Sequence, residues 1–371
     1  RLEAMERAAA HTRGSLSPGA VRALYGPRIN MTATRVERIR TCHFAHFMEF
    51  ALRVKPRNPA AFDAPQIGTF LHFLLERVTR DVQAMGGFAQ ADQDTLHALV
   101  RKHIDQYVEQ ELRNFQNRSA RFRYLFSRLR STACAVIDQA AAELRCSDFV
   151  PLAFELSFGG EGADLPAVVI SEPDGELRLR GKVDRVDGWY QDGKLYLRVV
   201  DYKSGKKSFD LSAVRMGLDI QMLLYLFTLQ KTGPSRFGAP VEPAGVLYLP
   251  ARDEILSAQR NIPPEKLQAE QEKQLRRSGL LLAEPQVLQA MEHDALTEPR
   301  YLPLRVTRDG SLTGSLASAA QLGKLGRYVE STLRDIAEEI RRGVIDADPC
   351  CHGEEDSPCR CCEWAPACHF Q

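Results

Sequence analysis

The chain has 371 residues, 44% hydrophobic and 26% charged, an ordinary balance for a globular protein able to bury a sizeable core without disulfide or metal staples. A formal net charge of +1 leaves any polyanion-binding surface to local clustering of basic residues. No apolar run approaches the ~20 residues of a membrane-spanning helix, which argues against a membrane protein.

The opening RLEAMERAAAHTRG carries acids and lacks the apolar stretch of a secretion signal. With its Arg start, this reads as a lead-in (residues 1–31) from a longer, cytoplasmic chain. Residues 32–54 predict an amphipathic helix with Phe44, Phe47, Met48 and Leu52 on its inner face. A loop around Asn58–Pro65 precedes a helix over Gln66–Met85 that Gly86-Gly87 ends. Further helices are predicted at about 92–112 and 119–145, completing a helical part over 32–147.

From Phe149 the composition turns to short β-rich runs, PLAFELSF, PAVVIS, ELRLRGKVDRVDGW and KLYLRVVDY, with Asp192-Gly193 as a hairpin signal between the last two. A helix at about 211–231 follows, then the strand AGVLYLP, a polar stretch over 252–300 without a clear element, the strand YLPLRV, and a long helix over 316–343. There is no internal repeat. This order argues for an α/β fold: a mixed-sheet core over 148–345 with flanking helices, then a cysteine-rich tail over 346–371.

A two-residue turn at Asp192-Gly193 sets Gln191 opposite Lys194 and, counting back, Asp184 opposite Asp201, with Cβ atoms roughly 4.5–5.5 Å apart. Lys203 falls on the same face. Carboxylates so placed repel unless a cation lies between them, and Mg²⁺ or Mn²⁺ is the natural occupant. A nearby ammonium can orient or help deprotonate a water and offset charge on a phosphate, which is the chemistry of phosphodiester hydrolysis. A solvated charged face on the hairpin is the plain alternative.

The segments GKVDRVD at 181–187, DYKSG at 201–205 and QMLLY at 221–225, with GTFLHFLLE at 68–76, resemble the motifs of the RecB-like branch of the PD-(D/E)XK nuclease superfamily. The resemblance implies metal ligation by His72, Asp184 and Asp201, helped by the Tyr202 carbonyl, and Lys203 as the catalytic lysine. Gln221 and Tyr225, one helical turn apart, would support the site or contact DNA. Taken singly, His72 also fits a core histidine, and Gln221 and Tyr225 also fit plain packing. Glu155 resembles an acidic position ahead of the core strands in the same branch.

Of nine cysteines, Cys42, Cys134 and Cys146 are scattered, whereas Cys350, Cys351, Cys359, Cys361, Cys362 and Cys368 crowd the tail. An odd count without a secretion signal argues for a metal or iron–sulfur site rather than a disulfide framework. Cys359, Cys362 and Cys368 supply three thiolates, and Cys42, at the mouth of a helix, is the candidate fourth, clasping the two ends of the chain. Cys350, Cys351, Cys361, His352 and His369 leave other ligand sets open, zinc included.

The one-plus-three layout resembles the iron–sulfur nucleases, which include the AddB subunit of bacterial AddAB helicase–nucleases and a CRISPR-associated exonuclease. The run TATRVERIRTCHFAHFMEFALRV looks most like the AddB group. This implies a structural [4Fe–4S] cluster on Cys42, Cys359, Cys362 and Cys368, single-stranded DNA in the active site, an AddA-type partner, and work in double-strand break repair and recombination. No G-x-x-x-x-G-K-[ST] is present, so ATP hydrolysis is not expected. Arg118, Arg121, Arg123, Arg128 and Arg130, interleaved with Phe122, Tyr124 and Phe126, fit either a DNA-tracking helix or a solvated face over a core stripe. A degenerate nuclease fold kept as a DNA-binding or assembly module is the reading from another class.

Overall fold

The computed structural model describes residues 14–55, 64–110, 120–173, 175–203, 205, 207–250, 263, 266, 275–351 and 357–368. Helix α1 (Pro18–Tyr25), N-capped by Ser17, leads into strand β1 (Arg28–Met31). Helix α2 (Ala33–Thr41) is N-capped by Thr32, whose hydroxyl accepts from the Arg35 N–H at 3.2 Å. At Cys42 the backbone becomes extended (φ −172°), and the chain re-enters a helix as α3 (His43–His46), continuing into a π-helical turn over Phe47–Ala51.

The single helix expected over 32–54 is therefore broken. Ala45, His46 and Ala51 are buried, while Leu52 is 48% exposed rather than inward. The break is held by the tail: the Cys350 N–H donates to Thr41 O (2.8 Å) and the Phe44 N–H to Asp346 O (2.8 Å).

Helices α4 (Ala64–Ala84), α5 (Gln93–Gln110) and α6 (Ala120–Arg145) form a layer. Phe70, Leu71, Leu74, Leu75, Val78 and Val82 of α4 recur at helical spacing and are buried. Phe70 meets Tyr107 and Phe126 at centroid distances of 4.9 and 5.3 Å. Phe126 is thus a core residue, with Tyr124, Arg128 and Arg130 exposed; Arg118 and the side chains of Arg121, Phe122 and Arg123 lie outside what is described.

Strands β2 (Val150–Phe158), β3 (Val169–Glu172), β4 (Gly175–Leu179), β5 (Gly181–Gln191) and β6 (Lys194–Lys203) come next. The run ELRLRGKVDRVDGW is two strands in different sheets. The helix expected over 211–231 is likewise split, into α7 (Leu211–Arg215) and α8 (Gln221–Thr232), because Gly217 and Asp219 take φ of 78° and 53°. Then follow α9 (Pro234–Phe237), β7 (Val241–Pro250), β8 (Ser278–Leu282), α10 (Pro285–Met291), β9 (Leu304–Val306), β10 (Leu312–Gly314), β11 (Leu316–Ala317), α11 (Ala319–Arg341) and α12 (Ala365–Cys368).

The main sheet runs β11-β8-β7-β6-β5-β2; β6–β7 and β11–β8 are parallel and the other neighbours antiparallel. A smaller sheet runs β1-β4-β3, and β9 and β10 form a hairpin. This mixed sheet flanked by helices is the architecture expected from the sequence. No helix among the described residues is long and apolar enough to cross a membrane.

Candidate active site

The β5–β6 hairpin turns at Asp192 (φ 51°) and Gly193 (φ 74°), both left-handed, as a two-residue turn matched to strand twist requires. The register runs as expected from Gln191↔Lys194 to Arg185↔Val200 and ends there. Asp184 and Asp201 therefore do not complete a ladder pair. Instead Asp184 Oδ2 accepts the backbone N–H of Tyr202 at 3.0 Å, while Asp201, Tyr202 and Lys203 pair on the other side with Tyr248, Leu249 and Pro250 of β7.

Around this strand end the predicted residues converge. Lys203 Nζ lies 2.7 Å from Asp201 Oδ2, and Gln221 Nε2, in the first turn of α8, donates to Asp201 Oδ1 at 3.3 Å. Tyr225, one turn further on, is buried with its ring 5.7 Å from that of Phe158. His72 reaches over from α4. Its side chain is 28% exposed, off the buried apolar stripe of that helix, so it is not a core histidine. Nε2 lies 2.9 Å from the Tyr202 carbonyl and Nδ1 lies 3.4 Å from Asp184 Oδ2. A carbonyl can only accept, so Nε2 carries a hydrogen, and Nδ1 is the ring nitrogen that faces the carboxylate.

Glu155 completes the group. Its place in β2 falls between Phe154, opposite Arg185, and Leu156, opposite Val183, hence across from Asp184. Its φ of 50° is costly for a side-chain-bearing residue in a strand, a type of strain that collects at functional sites. One carboxylate oxygen pairs with Lys182 Nζ and the other lies 3.9 Å from His72 Nδ1. Ligand atoms of His72, Glu155 and Asp184 all fall within 4.8 Å of one another. Convergent carboxylate oxygens and an imidazole nitrogen are a donor set that a divalent cation fits.

The electrostatics agree. Burial, then the charge of Asp201, pushes the Asp184 carboxyl up to about 7. Burial also raises Asp201, against the opposing pull of Lys203. Burial and the two aspartates raise the Tyr225 phenol, which stays neutral. Sequence reasoning missed Lys182, which holds Glu155, and buried Tyr248, which the parallel β6–β7 pairing sets opposite Asp201. Only the apolar neighbourhood of Glu155 in LAFELSF hinted at the first. Nothing local could announce the second.

Apart from this site, Cys42, Cys359, Cys361, Cys362 and Cys368 line one cavity of about 100 Å³, with Phe44, Ala347 and Pro349 among its walls. Burial raises the Cys42 thiol. Cys350 instead faces Met216 (Sγ–Sδ 3.8 Å) and Cys351 is exposed, while His352 and His369 lie outside the described residues. The four thiols expected to hold a cluster thus share a pocket across the full length of the chain, a soft-donor set suited to iron–sulfur or zinc.

Comparison with known families settles the class of this arrangement, because the profile of the PD-(D/E)XK nuclease superfamily matches residues 30–369. The chain belongs to the PD-(D/E)XK nuclease superfamily. The match encloses all of the motifs above, and the expectation of a metal-dependent nuclease domain stands with it. Similar proteins include the AddB-class ATP-dependent helicase/deoxyribonuclease subunits of Acetivibrio thermocellus, 32% identical over 353 residues, and of Clostridium kluyveri, 31% identical over 355. The corresponding protein from Desulforudis audaxviator is 32% identical over 362 residues. Each alignment covers 94–96% of this PD-(D/E)XK chain but 31% of the relative, so the chain spans about a third of the length of the curated relatives it matches.

Proposed function

We propose that the chain is the nuclease part of an AddB-type subunit, which hydrolyses phosphodiester bonds of single-stranded DNA in the cytoplasm beside an AddA-type helicase–nuclease partner, in double-strand break repair and recombination. The observation that carries this reading is the meeting of Asp184, Asp201, Lys203 and His72 at the end of β6. His72, Asp184 and Asp201, with Glu155 and the Tyr202 carbonyl beside them, would hold Mg²⁺ or Mn²⁺. Such an ion, when bound, supplies Lewis-acid stabilisation of a phosphoryl oxygen and a more acidic water.

The chain's own groups do the rest. Lys203, half-buried against Asp201, presents an ammonium that can orient the attacking water and offset charge gathering on the phosphate. Gln221 fixes the Asp201 carboxylate by donating to Oδ1, and Tyr225 closes the buried side of the site. Cys42, Cys359, Cys362 and Cys368 would hold a [4Fe–4S] cluster with a structural role, tying the α2–α3 junction to the tail.

The test is Mg²⁺-dependent cleavage of end-labelled single-stranded DNA by the wild-type protein and by Asp201→Ala. Cleavage by the first and not the second is expected. Equal inactivity of two well-folded proteins would leave a DNA-binding or assembly module instead.

A further inference from the structure

The peptide joining Asp201 to Lys203 is held unlike the rest of β6. As far as Val200 the strand is paired on both sides, with β5 and with β7; beyond it the β5 ladder has ended. On that open side Tyr202 takes over, its N–H donating to Asp184 Oδ2 and its carbonyl meeting His72 Nε2. Side chains alternate along a strand, so the Tyr202 ring leaves on the face opposite Asp201 and Lys203. There Arg185 Nη1 donates to the phenol oxygen at 3.2 Å, and the guanidinium lies 5.7 Å from the ring centroid.

Arg185 is itself immobilised. Its Nη2 donates to Asp187 Oδ2 at 3.0 Å, and its Nε lies 2.9 Å from Asp187 Oδ1 as an ion pair without hydrogen-bond geometry. Asp187 Oδ2 also accepts from Arg198 Nε at 3.0 Å; Arg198 Nη2 reaches Glu143 Oε1 at 3.3 Å, and Glu143 Oε2 accepts from Arg277 Nε at 3.0 Å. All five are at most 3% exposed. Well-packed apolar residues of similar volume often give a core at least as stable as buried ion pairs, so stability alone does not account for the chain of charges. What a planar guanidinium held by one carboxylate through a hydrogen bond and an ion pair offers is a fixed direction.

We propose that Arg185 is a positioning residue: from the far face of the sheet it locks the Tyr202 ring, and so the unladdered peptide that presents Asp201, the Tyr202 carbonyl and Lys203. The inference rests on the reading of Asp184 and Asp201 as metal ligands. Tyr202 transmits the constraint, because its backbone contacts both Asp184 and His72 while its side chain leaves on the opposite face.

The test uses the whole chain as wild type, Tyr202→Phe, Arg185→Lys and Asp201→Asn. Mn²⁺ binding without DNA is read from the free-ion signal in electron paramagnetic resonance, and single-strand cleavage is followed across a Mg²⁺ titration. Tyr202→Phe keeps the ring beside the guanidinium and loses the hydrogen bond from Arg185. It should weaken Mn²⁺ binding about 10-fold and raise the half-saturating Mg²⁺ in parallel, with a smaller fall in the plateau rate. Arg185→Lys, which cannot hold Asp187 and Tyr202 with separate nitrogens, should do the same or more; should it fail to fold, Tyr202→Phe decides. Folded variants with wild-type Mn²⁺ affinity and Mg²⁺ midpoint would overturn the proposal. A wild type that neither binds Mn²⁺ nor cleaves, like Asp201→Asn, would bring down the metal-site reading, and this inference with it.

Discussion

Lys203 Nζ rests 2.7 Å from Asp201 Oδ2 at the end of a strand that has lost one of its two neighbours. The pair places a cation against a buried acid where a phosphate and an ion would both need to approach. Lys203→Ala is expected to lower the cleavage rate by about 10²–10⁴-fold, the usual worth of a group that moves or orients a proton. Mn²⁺ binding should survive this change, because the ligands remain. Rates measured at saturating Mg²⁺ check the first point and metal titration the second.

Gln221 touches neither substrate nor ion in this reading; it holds Asp201 Oδ1. Gln221→Ala should therefore cost about 10–100-fold in metal affinity or rate, as removal of a hydrogen bond to a ligating carboxylate usually does. Its melting temperature should stay close to wild type. A variant unchanged in both Mg²⁺ midpoint and rate would remove Gln221 from the site.

The cysteine pocket gives a prediction about equivalence. If Cys42, Cys359, Cys362 and Cys368 hold one group, then Cys42→Ser and Cys359→Ser should cause the same loss of thermal stability, although the two residues lie at opposite ends of the chain. Cys134→Ser, remote from the pocket, should behave as wild type. Protein purified without oxygen should be brown, with about four irons per chain. Stoichiometric zinc in colourless protein would replace the cluster with a zinc clasp.

Glu143 supplies the pH dependence. Burial alone would raise its carboxyl, but Arg277, Arg198 and Arg185 outweigh that and hold it below the ordinary value. A carboxyl lowered on folding adds stability that is complete above its unfolded value, about 4.3, and is lost as the pH falls through the folded one. Melting temperature should thus drop as solutions are acidified below that range. Glu143→Gln, which leaves buried arginines facing a neutral amide, should be less stable at neutral pH by about 3–5 kcal/mol and show a flatter acid limb. An unchanged acid limb would mean that other carboxylates govern it.

The hairpin register could be read from the sequence because its cause is local: Asp192 and Gly193 accept left-handed backbone, and counting follows. The ending of the ladder at Arg185 and Val200 could not, since it depends on β7 and α4, elements far away in sequence. In the same way, helical periodicity runs unbroken through Cys42, and only contacts with Asp346 and Cys350 reveal the break. Asp219 hides the split between α7 and α8, because nothing in its identity demands a positive φ. The charges at Arg185, Asp187 and Arg198 look like a solvated face when read as alternation. They are among the most buried groups in the molecule, paired with one another and, through Arg198, with Glu143 from a helix 55 residues upstream of Arg198.

The cavity that gathers Cys42 with Cys359, Cys362 and Cys368 has a consequence in time as well as space. A ribosome makes Cys42 about 300 residues before its companions, a wait of roughly 15–60 s at ordinary synthesis rates. During that interval the helical layer and the strands bearing Asp184 and Asp201 can all form, while the pocket cannot. If the four thiols hold one group, the clasp closes only after the layer and the strands it encloses, and a cell short of that group would accumulate domains folded around Asp184 and Asp201 but unclasped at Cys42.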